Sequence, residues 1–141
     1  MQAPQMSGHY EGELRTKLTH IASQSMVLTD APKDNQGKGE QFSPTDLVCA
    51  ALGSCMMTII GIASNTHGFN VQDTDYQITK VMQASPRKII KIKVEFFFKH
   101  AYTAHHRAII EHAARTCPVA LSLDPAIEQE IVFHDLGTIE S

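Results

Sequence analysis

From Leu47 to Thr66 the chain carries no charged side chain, a run of 20 residues rich in Leu, Val, Ile, Met and Ala. Ser43-Pro44-Thr45-Asp46 precedes it. Ser43 suits a helix N-cap, Pro44 the first helical position, and Asp46 the third residue of a capping box. The pattern predicts a helix over about 44–67, ended by His67-Gly68. A helix apolar on every side belongs in a core. Upstream, Tyr10–Leu18 and Ile21–Thr29 alternate and predict a β-hairpin over about 8–30, turning at Ala22–Ser25. Asp30–Glu40, with Pro32, Asn35, Gly37 and Gly39, reads as part of a loop over 30–42.

Downstream, a strand is expected near Val71–Met82, a break at Ser85-Pro86, and a strong strand at Ile89–Phe98. Adjacent strand residues face opposite sides, so Phe96-Phe97-Phe98 predicts two apolar faces, one covered by helices and the other by a second subunit. A second helix fits Thr103–Arg115, stopping before Pro118. A short helix can follow Pro118, and Ile127–His134 reads as a last strand. Strands, long helix, strands, helices, strand is an α+β order.

At 141 residues, one domain spanning 1–141 is expected, with an αβ part over 71–136, and the length can bury a core without staples. A formal charge of −3 and a pI near 6.2 give no basic footprint, which argues against nucleic acid and against electrostatic membrane binding. The charge-free run reaches spanning length, but Gly53, Ser54, Thr58, Gly61, Ser64, Asn65 and Thr66 lie within it, and no Lys or Arg flanks it closely. A buried helix accounts for it better. No secretory pattern is visible at the N-terminus, so a cytoplasmic, reducing setting is expected, where structural disulfides are rare.

The three cysteines then become the candidate chemistry. Cys55 lies about 18 Å into the predicted helix, too deep for its own helix dipole to stabilise a thiolate, so a cation would have to come from elsewhere. Its bland reading is a small buried hydrophobe. Cys117 precedes Pro118 and can cap the next helix, where exposed N–H groups favour a thiolate; packing is the alternative. Cys49 points about 120° away from Cys55 with about 9 Å of rise between them, so the two cannot pair within one helix. Asp46 is a cap or an acid near the site. Eight histidines, His100, His105, His106 and His112 among them, form no His-Glu-x-x-His pattern, and no metal is expected. Lys88, Lys91 and Lys93 alternate with isoleucines as one polar strand face.

The Ser43-Pro44-Thr45-Asp46 helix start, Cys55 in the following helix, and Cys117-Pro118-Val119 62 positions later resemble the osmotically inducible protein C and organic hydroperoxide resistance (OsmC/Ohr) family over about Gly39–Leu136. The resemblance implies an intertwined homodimer, with a long central helix packed on antiparallel sheets. It implies a thiol peroxidase acting on small organic hydroperoxides, with Cys55 peroxidatic and Cys117 resolving. No cofactor is implied beyond an external dithiol reductant. Met56, Ile59, Phe96 and Phe98 would line an apolar substrate pocket. In two places this sequence departs from the family's pattern. Thr45 stands where a glutamate is usual, with Asp46 beside it, and Tyr10 stands where an arginine is usual, with Arg15 nearby as the candidate cation. These departures keep open a non-catalytic stress-related or ligand-binding dimer, and a thiol redox sensor.

Overall fold

A computed structural model describes residues 2–134 and 136 of the chain. Met1, Asp135 and residues 137–141 lie outside the described residues. The chain divides into two compact units, residues 1–48 and 49–141.

The first unit is a three-stranded antiparallel sheet in the order β1-β2-β3, built from β1 (Met6–Gly12), β2 (Arg15–His20) and β3 (Met26–Asp30). The expected single hairpin is therefore a meander. A tight reversal at Gly12-Glu13-Leu14 cuts the first predicted strand in two, with φ of 90°, 55° and 64° at the three residues. Glu13 and Leu14 are not residues that advertise a left-handed backbone, so this turn leaves little trace in composition. The 30–42 loop follows, with one turn of 3₁₀ helix at Lys33–Asn35. It folds tightly: a Cβ on Gly37 would sit 1.7 Å from the Ala31 carbonyl oxygen.

Helix α1 runs Pro44–His67, as its sequence predicts. Both halves of the capping box form. The Asp46 N–H donates to Ser43 Oγ at 3.0 Å, and the Ser43 N–H donates to Asp46 Oδ2 at 2.9 Å. At the other end Gly68 takes φ of 73°.

The second unit holds the core. Strands β4 (Asp75–Ala84) and β5 (Arg87–Phe97) are antiparallel, and β6 (Glu128–His134) lies parallel to β5. The sheet order is β4-β5-β6, so this sheet is mixed where the sequence reading expected antiparallel pairing. The reason is the long connection from β5 to β6. It carries α2 (Ala104–Arg115) and α3 (Pro118–Ser122), enough chain to bring the next strand back in the same direction.

Ile92, Val94 and Phe96 of β5 are fully buried, with Cys49, Leu52, Met56 and Ile60 of α1 and Ile110 of α2 in the same core. The α1 residues recur every three or four positions and form one stripe. Gly53 belongs to it because Ile78 of β4 approaches closely; a Cβ there would meet Ile78 Cδ1 at 2.7 Å.

Two expectations change. The α1 helix is apolar enough and long enough to cross a membrane by length and composition, yet only about a third of that stretch is buried within the chain. Its stripe is covered, while Ile62 stays 56% exposed. The opposite sheet face is also not apolar. Lys91 meets Glu130 at 2.7 Å, Lys93 meets Glu95 at 3.2 Å, and His134 meets Glu95 at 3.0 Å. Phe97, on that face, stacks on the His134 ring with centroids 4.7 Å apart. The phenylalanine triplet thus supplies two side chains to the core, Phe96 and Phe98, and one to an ion-paired surface.

Candidate functional site

Cys117 is placed by two helices. Thr103 caps α2, its Oγ1 accepting the His106 N–H at 3.1 Å, and the helix runs to Arg115 just ahead of Cys117. Pro118 then starts α3 with Cys117 as its N-cap, the Sγ accepting the Ala120 N–H at 3.4 Å. This is the cap position the Cys-Pro order predicts. The Gln129 Nε2 of β6 donates to the Ala120 carbonyl at 3.1 Å and ties α3 to the sheet.

Cys55 of α1 is close enough to Cys117 to influence the Cys117 thiol. Cys117 is fully buried and Cys55 is partly exposed. Burial pushes the Cys117 thiol pKa up from its ordinary value; the Ala120 N–H works against that rise, and the neighbouring Cys55 adds to it. The three cysteines are all reduced, and Cys49, 2% exposed, is part of the core. Two thiols 62 positions apart in the sequence are thus neighbours, one partly open to solvent and one sealed, an arrangement suited to forming and breaking a disulfide.

The other predicted site residues have partners of their own. Arg15 forms a two-pronged ion pair with Asp30, Nε to Oδ1 at 2.7 Å and Nη2 to Oδ2 at 2.8 Å, and also meets Glu40 Oε1 at 3.1 Å. Asp30, 1% exposed, is a functional-looking acid that the sequence reading passed over. Its signal was its place opposite Arg15 in a strand pair, which needs the missed turn to be read. Asp46 is engaged in the α1 cap. Tyr10 accepts the Leu14 N–H through its hydroxyl at 3.2 Å, and Thr45 Oγ1 lies 3.2 Å from Ser43 Oγ.

The expected pocket wall is corrected: Met56 and Phe96 are fully buried and Phe98 is 3% exposed, packed in the core rather than facing open space. Ile59 is only partly buried. The histidines are spread. His105 meets His67 edge to face at 6.3 Å, and His106 stacks on Phe69 at 4.4 Å. No group of three His, Cys, Asp or Glu side chains that could hold a metal converges among the described residues.

The sequence pattern of OsmC-like proteins matches residues 37–132, which contain both thiols and the α1 cap. The chain belongs to the OsmC-like protein family. Among solved structures, this OsmC-like chain is 40% identical to a Psychrobacter arcticus 273-4 protein provisionally described as an osmotic stress induced and detoxification response protein. The TM-score is 0.92, over 95% of this chain and 98% of that one. The fold also matches an organic hydroperoxide resistance protein OsmC from Legionella pneumophila, at 13% identity and TM-score 0.74, over 94% and 98% of the two chains. It matches an organic hydroperoxide resistance protein from Elizabethkingia anophelis at 13% identity and TM-score 0.62, over 94% and 96%. No curated protein matches the chain.

Proposed function

We propose that this OsmC-like chain is a cysteine-based peroxidase that reduces organic hydroperoxides. The observation that carries the reading is the Cys55–Cys117 thiol pair, half-open on one side and sealed on the other. The Cys55 thiolate attacks the distal oxygen of the hydroperoxide and breaks the O–O bond. The alkoxide leaves and takes up a proton as the alcohol, and Cys55 becomes a sulfenic acid. The Cys117 sulfur then attacks the Cys55 sulfur, hydroxide leaves as water with the Cys117 proton, and a disulfide remains. An external dithiol restores both thiols and is itself oxidised to a disulfide. The cycle runs on thiol–disulfide chemistry and suits a cytoplasmic, reducing setting.

The working unit in this reading is a homodimer. Its support is the uncovered apolar surface of α1, with Ile62 and Val48 at 56% and 38% exposure, which a second copy would bury.

Stopped-flow mixing with cumene hydroperoxide tests the activity. Peroxide consumption should require Cys55, and Cys55→Ser should abolish it. A parent protein inert to several organic hydroperoxides with dithiol reductants rejects the reading. A second reading, a non-catalytic binding dimer or thiol sensor, is favoured by one observation: Arg15, the leading candidate cation from the sequence, is already gripped by Asp30 and Glu40.

A further inference from the structure

Ala120 of α3 is held at both ends. Its N–H donates to the Cys117 sulfur at 3.4 Å, and its carbonyl accepts from the Gln129 Nε2 of β6 at 3.1 Å. The helix spans only Pro118–Ser122, and a helix leaves its last carbonyls without helical partners. The Leu121 N–H reaches the Cys117 carbonyl, the Ser122 hydroxyl the Pro118 carbonyl, and the Leu123 N–H the Val119 carbonyl. The Ala120 carbonyl takes its donor from outside the helix, from Gln129.

Gln129 differs from its row. It pairs with Ile92 of β5, and Ile131 and Phe133, the next residues on its face of β6, pack against the core. Glu128 and Glu130, on the other face, both meet Lys91. An amide among apolar neighbours needs a hydrogen-bond partner, and the Ala120 carbonyl is that partner.

We propose that Gln129 is a positioning residue for the resolving step: by holding the Ala120 carbonyl it keeps the Ala120 N–H on the Cys117 sulfur, and so keeps that sulfur placed for its attack on the Cys55 sulfenic acid. The resolving step rests on the peroxidase reading, while the hold on Cys117 rests on the two hydrogen bonds. Cys117 is fully buried, so an outside reagent reaches it only when α3 opens locally. The Gln129 bond is one that such an opening breaks. The first step, at Cys55 on α1, does not pass through Ala120.

The test labels Cys117 with a dipyridyl disulfide, which reacts with thiols in acid as well as near neutral pH. Peptide mapping reads the labelling in the parent, Gln129→Met and Gln129→Glu, and each variant's rate is divided by the parent's at the same pH. Methionine keeps the length of glutamine and has no donor. Its ratio should be about three- to tenfold at every pH, the worth of one hydrogen bond. An ionised glutamate cannot donate to the carbonyl, and a protonated one can. The Gln129→Glu ratio should therefore match that of methionine near neutral pH and fall toward one below the ordinary glutamate range of about 4.3. A role in packing alone would leave it flat.

The second readout uses peroxide. After one equivalent of cumene hydroperoxide, Cys55 sulfenic acid trapped with dimedone should appear in Gln129→Met at the parent's rate. The Cys55–Cys117 disulfide should form about three- to tenfold more slowly. A disulfide that forms at the parent's rate overturns the proposal, and so does a Gln129→Glu ratio indifferent to pH. Should Gln129→Met not fold, the Gln129→Glu profile decides, acid against neutral. A parent inert to hydroperoxides, with faster Cys117 labelling in Gln129→Met, rejects the peroxidase reading and leaves the hold of Gln129 on Cys117 standing. An active parent whose variants label and resolve as it does rejects the positioning role alone.

Discussion

Arg15 of β2 grips Asp30 of β3 through two parallel hydrogen bonds of 2.7 Å and 2.8 Å, and the two residues are direct cross-strand partners. Asp30 is sealed from solvent and also accepts the Glu40 N–H at 3.1 Å, so the pair pins the start of the 30–42 loop to the sheet. This gives Arg15 a structural duty, whatever it contributes to reactivity.

Arg15→Ala should therefore destabilise the first unit, because it strands a buried carboxylate without its partner. The Arg15 hydrogen bonds hold the Asp30 carboxyl below its ordinary pKa, against the upward push of burial. A depressed folded-state pKa contributes stability above the ordinary aspartate range of about 3.9, and that contribution is lost as pH falls through the folded value. Thermal melts should separate parent and variant by several degrees near neutral pH, with the gap closing in acid. A constant gap from neutral pH to strong acid contradicts this account.

Gly53→Val should lower stability by about 2–3 kcal/mol, through overpacking and the poor fit of a β-branched residue. The added carbons would press on Ile78 Cδ1, Ile78 Cγ1 and Tyr76 Cδ2, which already stand 2.7, 3.0 and 3.4 Å from an ideal Cβ. Denaturant unfolding measures it. A variant as stable as the parent would mean that β4 has room to retreat from α1.

Thr103→Ala should cost about 1 kcal/mol, by removing the oxygen that receives the His106 N–H at the start of α2. Thr103→Ser should keep most of it. Because α2 delivers the chain to Cys117, the alanine variant should also slow disulfide formation, followed by thiol titration after mild oxidation.

The uncovered part of α1 predicts a stable dimer. Sedimentation should show no folded monomer at micromolar concentration, and Ile62→Lys, at a 56% exposed apolar position, should weaken association without unfolding the chain. A parent that sediments as a folded monomer contradicts the dimer.

What the sequence made legible followed from local chemistry. The α1 bounds were readable because Ser43, Pro44 and Asp46 write the start and Gly68 writes the stop. The cap at Cys117 was readable from the proline after it. The turn at Glu13-Leu14 was not, because two ordinary residues adopt positive φ there under the demands of the sheet. Without that turn Arg15 could not be paired with Asp30. The parallel placement of β6 depends on a non-local choice of neighbour, and the polar side of Phe97 depends on His134, 37 positions away in the numbering. The thiol pair stood between these cases. Family resemblance put Cys55 and Cys117 together, while their unequal burial needed the folded chain.

The most direct measurement is peptide mapping after one equivalent of organic hydroperoxide. The account predicts a Cys55–Cys117 disulfide within one chain, with Cys49 still a free thiol in the core. All three thiols remaining reduced, or a disulfide that includes Cys49, would contradict it.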